Sequence, residues 1–328
     1  MLRGLLVFAS LTVVAMAAPK PDFTIAVIPK GTTHEFWKTV HAGAVKAGHE
    51  ENIEIIWQGP SKEDDRRGQI DVVQNFTSRN VSAIVLAPLD ETALARPVEV
   101  AVQRGIKTVI IDSDLKSKAQ SSFVATDNYA AGRLAAQQMA EIFLKSKGSK
   151  NEILSKPKII VMRYLEGSAS NSYREDGFLD GIKEACPSCQ IVSSNQFAGV
   201  TAESALKTAQ NLLNKFSEVD GIFTPNGPTT FGMLRALQTA GRTGKAKLIG
   251  FDATEPLLIA LKTGEIAGLV VQDPFRMGYL GVKSAVAALR GQKVEKRIDT
   301  GARYITAANL SDPDVKELVY PDLKKWLE

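Results

Sequence analysis

The chain has 328 residues, of which 44% are hydrophobic and 23% are charged. These fractions are close to those of ordinary soluble globular domains, so they exclude a disordered chain, a collagen-like fibre and a multi-span membrane protein. The formal net charge is +4, and the lysines and arginines are interspersed with acidic residues. The basic stripe typical of nucleic-acid-binding proteins is therefore missing. At about 150 residues per domain, the length predicts two domains.

Residues 1–17 have the three parts of a secretory signal peptide. Arg3 supplies the positive start, an apolar run extends from Leu5 to Ala15, and Ala15 with Ala17 forms an A-x-A cleavage site. The alternative is a membrane anchor, which needs about 20 apolar residues and a stop-transfer flank. We therefore predict cleavage near Ala17 and export of the mature protein.

The chain contains two cysteines, Cys186 and Cys189, separated by Pro187 and Ser188. In an exported protein such a pair is typical of a disulfide. A redox site would place the pair at a helix N-terminus, where the helix dipole lowers a thiol pKa. Here the pair follows a predicted helix instead. A structural disulfide is favoured, while free thiols and redox or metal chemistry remain the alternatives.

Short apolar runs alternate with amphipathic stretches along the chain. In the first half, strands are predicted at 24–29, 53–57, 83–87 and 107–111, and helices at 35–49, 64–79 and 92–104. The pattern then starts again, with strands at 158–163, 190–194, 221–224, 247–250 and 268–272 and helices at 128–145, 172–185, 202–216, 229–240 and 255–262. Ile- and Val-rich runs bounded by Gly, Pro and Asp are typical of strands buried on both faces, and this alternation predicts right-handed βαβ units.

Polar side chains follow several of these predicted strands. In open parallel sheets, ligands bind beyond the carboxyl ends of the strands. The residues at these positions are Lys30, Asp112, Ser113, Asp114, Asn226, Asp252 and Gln272. We therefore expect a binding site to be assembled from these strand ends.

Motifs for catalysis and for cofactor binding were sought and not found. The loop after the first strand lacks G-x-G-x-x-G, and the chain contains neither a P-loop nor a G-x-S-x-G elbow. His41 and His49 lie in the first predicted helix without metal-ligand spacing. The sequence therefore predicts no catalytic residues, no metal and no cofactor.

The residues at the strand ends suit a ligand rich in hydroxyl groups. Each sugar hydroxyl both donates and accepts, which Asp, Asn and Gln can match, and the C–H faces of a sugar ring pack on aromatic carbon. The adjacent aromatics Phe36 and Trp37 follow the loop of the first strand. Their alternative role is as a hydrophobic anchor of the first helix, but their position favours contact with the ligand.

Nearly all of the chain after the signal peptide resembles the ribose-binding type of periplasmic sugar-binding proteins of ABC transporters. The segments that carry the resemblance are 24–28, 34–37, 109–112, 125–128, 174–178, 223–226, 235–241, 249–252 and 271–274. Each segment is weak evidence alone, whereas their order and spacing are specific.

By this resemblance, Phe36 and Trp37 correspond to aromatics that stack on the sugar ring. His34 stands where ribose-binding proteins carry a ligand-binding Asn, and Ser113 where they carry an Arg. Ser172, with Asn171 beside it, falls near another family arginine. The implied ligand-binding residues are Lys30, His34, Phe36, Trp37, Asp112, Ser113, Asn171, Ser172, Asn226, Asp252 and Gln272.

Because the two arginines of ribose-binding proteins are missing, the ligand need not be ribose. Lys30 and residues 112–114 are instead similar to rhamnose-binding and autoinducer-binding relatives, which implies a deoxy sugar, another pentose or hexose, or a polyol.

The resemblance also implies the fold, the periplasmic binding protein type I fold. We expect two Rossmann-like lobes, each a doubly wound parallel sheet, joined by a three-segment hinge. The first lobe would comprise residues 22–126 plus 274–301, and the second 127–273 plus 302–328. The segment from Asn309 to the end is expected to be a surface tail.

The function implied is capture of a sugar or polyol by a monomeric protein that delivers it to an ABC permease, without catalysis. A receptor for a membrane sensor or chemoreceptor is the alternative with the same binding chemistry. The effector core of a LacI-type regulator shares the fold but should begin with a basic helix-turn-helix, whereas a signal peptide is expected at the start of this sequence. An enzyme with a two-lobed body is the third class, and turnover of a bound sugar would establish it.

Overall fold

The computed structural model describes residues 21–146 and 156–328. The predicted signal peptide lies outside this part of the chain. In chain order the elements are β1 (Thr24–Ile28), α1 (Glu35–Glu51), β2 (Glu54–Trp57), α2 (Arg66–Ser78), β3 (Ala83–Leu86), α3 (Ala95–Gln103), β4 (Lys107–Ile111), β5 (Ser122–Ala125), α4 (Asn128–Ser146), β6 (Lys158–Arg163), α5 (Ala169–Ala185), β7 (Gln190–Phe197), α6 (Ala202–Lys215), β8 (Gly221–Phe223), α7 (Gly227–Thr239), β9 (Lys247–Phe251), α8 (Glu255–Lys262), β10 (Gly268–Gln272), α9 (Pro274–Leu289), β11 (Arg297–Asp299), β12 (Ala302–Ile305), α10 (Pro313–Val319) and α11 (Lys324–Leu327). None of the helices in the described ranges has the length and apolar character needed to cross a bilayer.

The strands form two six-stranded sheets. The order is β11-β5-β4-β3-β1-β2 in the first sheet and β12-β10-β9-β8-β6-β7 in the second. Neighbouring strands are parallel, except that β12 runs antiparallel to β10. The predicted architecture of two doubly wound parallel-sheet lobes is confirmed. We call the lobe around the first sheet the first lobe and the other the second lobe.

Helices cover both faces of each sheet. Successive strand residues point to opposite faces, so each strand contributes to a core on either side. In β1, Ile25 and Val27 pack with α1 and α9, whereas Ala26 and Ile28 pack with α2 and α3. The second sheet divides in the same way between α4 with α5 on one face and α6, α7, α8 and α10 on the other. These cores hold the strand ends, and with them the polar residues, in place.

In each lobe one helix pair packs so closely that glycine is required. A Cβ on Gly43 of α1 would lie 2.0 Å from the carbonyl oxygen of Phe275 in α9, and one on Gly132 of α4 would lie 2.1 Å from that of Arg174 in α5. The pair α4 and α5 thereby fixes the height of Arg174 above the second sheet.

The chain passes between the two sheets three times, between β5 and β6, between β10 and β11, and between β11 and β12. Helix α4 packs on the second sheet, and α9 packs on the first. The exact lobe boundaries at residues 126, 273 and 301 stay a prediction.

Four elements, β5, α9, β11 and β12, were not predicted from the sequence, and the C-terminal segment differs in part from its prediction. The elements β5, β11 and β12 contain only three or four residues each, and β11 and β12 include charged residues in place of a continuous apolar run. Helix α9 did carry a start signal, since Asp273 caps it and Pro274 opens it. The expected surface tail is partly wrong, because Val315 and Val319 of α10 pack in the core of the second lobe.

Cys186 and Cys189 form a disulfide directly after α5. Both sulfur-bearing side chains pack against the core that α4 and α5 share with the second sheet. The structure therefore contains the disulfide that was favoured from the sequence.

Candidate ligand-binding site between the lobes

Two aspartates occupy equivalent positions in the two lobes. Asp112 follows β4 and Asp252 follows β9, and both have a left-handed backbone, with φ of 62° and 65°. The amide N–H of Asp112 donates to Val124 O, and that of Asp252 donates to Val270 O, in each case on the neighbouring strand. A non-glycine residue with positive φ is uncommon, and such strained positions cluster at functional sites. Both lobes therefore present a carboxylate on a specialised backbone at the sheet edge.

Lys30 connects the first lobe to the second. Its Nζ lies 2.7 Å from Asp112 Oδ2 and donates to Ser170 Oγ at 2.8 Å and to Ser168 Oγ at 3.4 Å. Ser113 Oγ accepts from the amide N–H of Ser170 at 3.1 Å. All five residues are buried. Ser168 and Ser170 follow β6 of the second lobe, whereas Lys30, Asp112 and Ser113 belong to the first. The bonds between these two groups therefore cross the cleft and hold the lobes together.

A second network starts in the second lobe and reaches the backbone of Asp112 in the first. Arg174 Nη2 donates to Gln272 Oε1 at 2.6 Å, and Gln272 Nε2 donates to Asp252 Oδ1 at 2.7 Å. Arg174 Nε also donates to Asn128 Oδ1, whose Nδ2 donates to Asp112 O. Burial raises the pKa of Asp252, although the charge of Arg174 and the hydrogen bonds from Gln272 and Gly227 oppose the shift. The network joins the aspartates of both lobes through one guanidinium.

The remaining second-lobe candidates differ in how their polar atoms are used. Asn226 caps α7, and its Oδ1 accepts from Thr229 N at 3.1 Å and from Thr229 Oγ1 at 2.6 Å. Asn171 Nδ2 donates to Ser168 Oγ, whereas its buried Oδ1 has no partner in the structure. An unsatisfied buried carbonyl carries a cost, and a ligand hydroxyl would remove it. Ser172 is half-buried on α5.

Glu63, which was not predicted from the sequence, contacts two predicted ligand-binding residues, His34 and Trp37, and one residue of the second lobe, Tyr164. Its Oε1 accepts from Trp37 Nε1 at 2.8 Å and lies 2.9 Å from His34 Nδ1, and its Oε2 accepts from Tyr164 OH of the second lobe at 2.9 Å. Burial raises the pKa of Glu63, but the hydrogen bond and charge of His34, the charge of Lys30 and the Trp37 hydrogen bond lower it to about 2. Glu63 is thus a carboxylate at neutral pH.

The imidazole of His34 responds to Glu63 in turn. Burial lowers the pKa of His34, but the hydrogen bond and charge of Glu63 and the charge of Asp252 raise it above its ordinary value. His34 therefore lies within electrostatic reach of carboxylates from both lobes.

The two predicted stacking aromatics lie in different surroundings. Phe36 is half-buried and lines the cleft, and its ring meets that of Trp37 edge to face at 5.0 Å. Trp37 is 3% exposed and packs in the core of the first lobe. Its helix-anchoring role, the alternative raised from the sequence, is therefore present, and its role as a ring-stacking residue stays a prediction.

The structure adds Glu63, Tyr164, Ser170 and Arg174 to the predicted set. Tyr164 directly follows β6, so the strand-end rule could have found it, whereas Glu63 comes six residues after the end of β2 and carries no such signal. Arg174 lies inside α5, so in the sequence it does not follow a strand. Only the fold brings it within hydrogen-bond distance of Gln272. In the described ranges no group of three or more His, Cys, Asp or Glu side chains could hold a metal ion.

Comparison with known proteins places this geometry in a family. The profile described as a periplasmic binding protein domain matches residues 25–293. A carbohydrate transporter solute-binding protein from Agrobacterium radiobacter, solved with D-arabinose, is 36% identical with a TM-score of 0.85, covering 90% of this chain and 98% of that one. An ABC transporter solute-binding protein from Agrobacterium vitis, solved with D-fucose, is 37% identical with a TM-score of 0.83, covering 90% and 100%.

Among characterised relatives, the ribose import binding protein of Escherichia coli K12 is 28% identical over 300 residues, which is 90% of this chain and 94% of that protein. The relatives are sugar-binding proteins of import systems. The matched profile covers most of the chain. The chain belongs to the periplasmic binding protein family.

Proposed function

We propose that the protein captures a monosaccharide or a related polyol between its lobes and delivers it to an ABC permease, without catalysing a reaction on it. The observation that carries the proposal is a pair of aspartates, one from each lobe. Lys30 forms an ion pair with Asp112, and Gln272, which accepts from Arg174, donates to Asp252. A sugar hydroxyl donates to a carboxylate and accepts from an ammonium, guanidinium or amide N–H, so this set matches both of its functions.

The ligand class follows from the missing arginine at Ser113 and from the relatives. Solved relatives hold D-arabinose and D-fucose, a pentose and a deoxy hexose. Export after removal of residues 1–17 would bring the mature protein to the compartment where such import systems collect sugars. These points support a pentose or deoxy hexose as the ligand.

Closure of the hinge is the proposed mechanism. A ligand stabilises the closed form only through its higher affinity for that form. The bonds from Lys30 and Ser113 to Ser170 supply contacts that exist only when the lobes meet. The ligand then adds hydrogen bonds to both aspartates, which the open form cannot offer together.

A thermal-shift screen of D-ribose, D-arabinose, D-fucose, D-allose and xylitol tests the proposal, because a ligand that binds only the native state raises the melting temperature.

Calorimetry then compares the affinity of Asp252→Ala for that ligand with the affinity of the wild type. We expect affinity to fall roughly 5- to 150-fold, since a buried hydroxyl left unpaired costs about 1–3 kcal/mol. Asp71→Ala, at a carboxylate that is 63% exposed, is the matched control. Unchanged affinity in Asp252→Ala would exclude this site.

A further inference from the structure

A cleft of about 600 Å³ opens beside the polar site. At one end it is lined by His34, Asp252 and Gln272, which belong to the candidate sugar site. The rest of its wall is mainly apolar, with the residues Phe36, Phe231, Leu258, Val271, Leu318 and Leu323. The polar site and the apolar wall therefore belong to one continuous space, which we call the side groove.

Three separate parts of the molecule build the apolar wall of the side groove. Phe36 comes from α1 of the first lobe, Phe231 from α7 of the second, and Leu323 from the segment between α10 and α11. All three side chains are only half-buried. Contiguous exposed apolar surface is uncommon in soluble proteins and marks binding sites when it adjoins polar groups. The carbon surface of these three side chains offers no hydrogen bond to the hydroxyls of a bare sugar ring.

The size and charge of the side groove indicate what it can hold. Its volume lies in the middle of the range of about 300–1,000 Å³ that suits drug-sized ligands, which are larger than a monosaccharide. The exposed carboxylates of Glu35 and Glu255 lie among its lining residues. An acidic substituent would be repelled there, whereas a neutral aryl or alkyl group would bury apolar surface.

We propose that the ligands of this protein include aryl or alkyl glycosides, with the sugar ring at Asp252 and Gln272 and the apolar aglycone in the side groove. This inference rests on the proposed sugar-binding function, because the polar end must hold the ring. It predicts a preference that free monosaccharides cannot reveal.

The test is calorimetry of the purified protein with D-fucose, methyl β-D-fucoside and 4-nitrophenyl β-D-fucoside. Burial of a phenyl-sized group should make the aryl glycoside bind at least about tenfold more tightly than the methyl glycoside. Equal affinity of the two glycosides would overturn the inference. So would rejection of the aryl glycoside alongside binding of D-fucose, which would leave the proposed function intact. If D-fucose does not bind but the aryl glycoside does, the inference stands. If none of the three binds, the inference falls, and the thermal-shift screen decides the proposed function on its own.

Variants locate the effect in the side groove. In Phe231→Ala and in Leu323→Ala we expect the gain of the aryl over the methyl glycoside to disappear, with the affinity for D-fucose unchanged. Leu327→Ala, at an exposed leucine on the same C-terminal segment, is the matched control and should keep the gain. Retention of the gain in both groove variants, or equally tight binding of 4-nitrophenol alone, would contradict the inference.

Discussion

Glu175 shows how a single buried side chain supports the site from behind. Its Oε1 accepts from the amide N–H of Tyr164 at 2.9 Å, and its Oε2 lies 3.1 Å from Arg163 Nη1. Tyr164 in turn donates to Glu63 across the cleft. Burial raises the pKa of Glu175 to about 7, although the hydrogen bond from Tyr164 and the charge of Arg163 lower it. The residue therefore titrates near neutral pH beside a cross-lobe contact.

Replacement of this carboxyl should change how stability depends on pH. Because the pKa is raised in the folded state, the folded protein binds more protons than the unfolded chain between about pH 4.5 and 7. The free energy of unfolding should therefore fall as the pH rises through that window. Denaturant unfolding measures the free energy of unfolding at pH 5 and at pH 8. Between these pH values it should fall by about 1–3 kcal/mol less in Glu175→Gln than in the wild type.

Comparison of each protein with itself at the two pH values separates titration from lost contacts. The shift in His34, which also loses stabilising effect as the pH rises, is present in both proteins and cancels. An identical pH dependence in the variant and the wild type would show that Glu175 does not titrate in this range.

Among the secondary-structure elements, two helix pairs, α1 with α9 and α4 with α5, set the geometry of the lobes. Gly43 and Gly278 allow the first pair to touch, and Gly132 and Gly177 the second. Since α5 carries Arg174, the spacing of the second pair controls the position of the guanidinium that bonds Gln272. Close helix contact is thus connected directly to the site.

The substitution Gly132→Ala tests this connection. The new Cβ would lie 2.1 Å from Arg174 O, so α4 and α5 must separate. Overpacking of this kind costs about 1–3 kcal/mol, and we expect that loss in denaturant unfolding, together with weaker sugar binding. Gln137→Ala, on the exposed face of α4, should change stability by less than about 0.5 kcal/mol. A Gly132→Ala protein as stable as the wild type would contradict the argument.

On the scale of the whole molecule, hydrogen bonds connect the two lobes across the cleft. Lys30 and Ser113 bond to Ser170, and Glu63 bonds to Tyr164. Further out, Arg66 Nη2 donates to Glu166 O at 2.9 Å. Each bond exists only when the lobes meet, so each contributes to the equilibrium between open and closed forms. The apparent affinity for a ligand depends on that equilibrium.

Tyr164→Phe should shift the equilibrium toward the open form without removing any apolar packing. A hydrogen bond to a charged group contributes about 1.5–3 kcal/mol, so sugar affinity should fall roughly 10- to 150-fold. Small-angle scattering without ligand should show a larger radius of gyration than that of the wild type. Tyr320→Phe, whose hydroxyl meets Lys262 at the exposed surface, is the control. Unchanged affinity and radius in Tyr164→Phe would exclude the tyrosine as a closure contact.

The sequence by itself determined the alternation of strands and helices in both lobes and the polar strand ends, since buried parallel strands leave a local apolar pattern. Asp112, Asp252 and Gln272 could be named because they directly follow or end such strands. The tertiary structure alone decided that Arg174 reaches Gln272 and that Glu63 meets Tyr164. It also decided that Val315 of the C-terminal segment packs in the core of the second lobe. These contacts join residues far apart in the chain, and no local period records which distant side chains the packing of helices and sheets brings together.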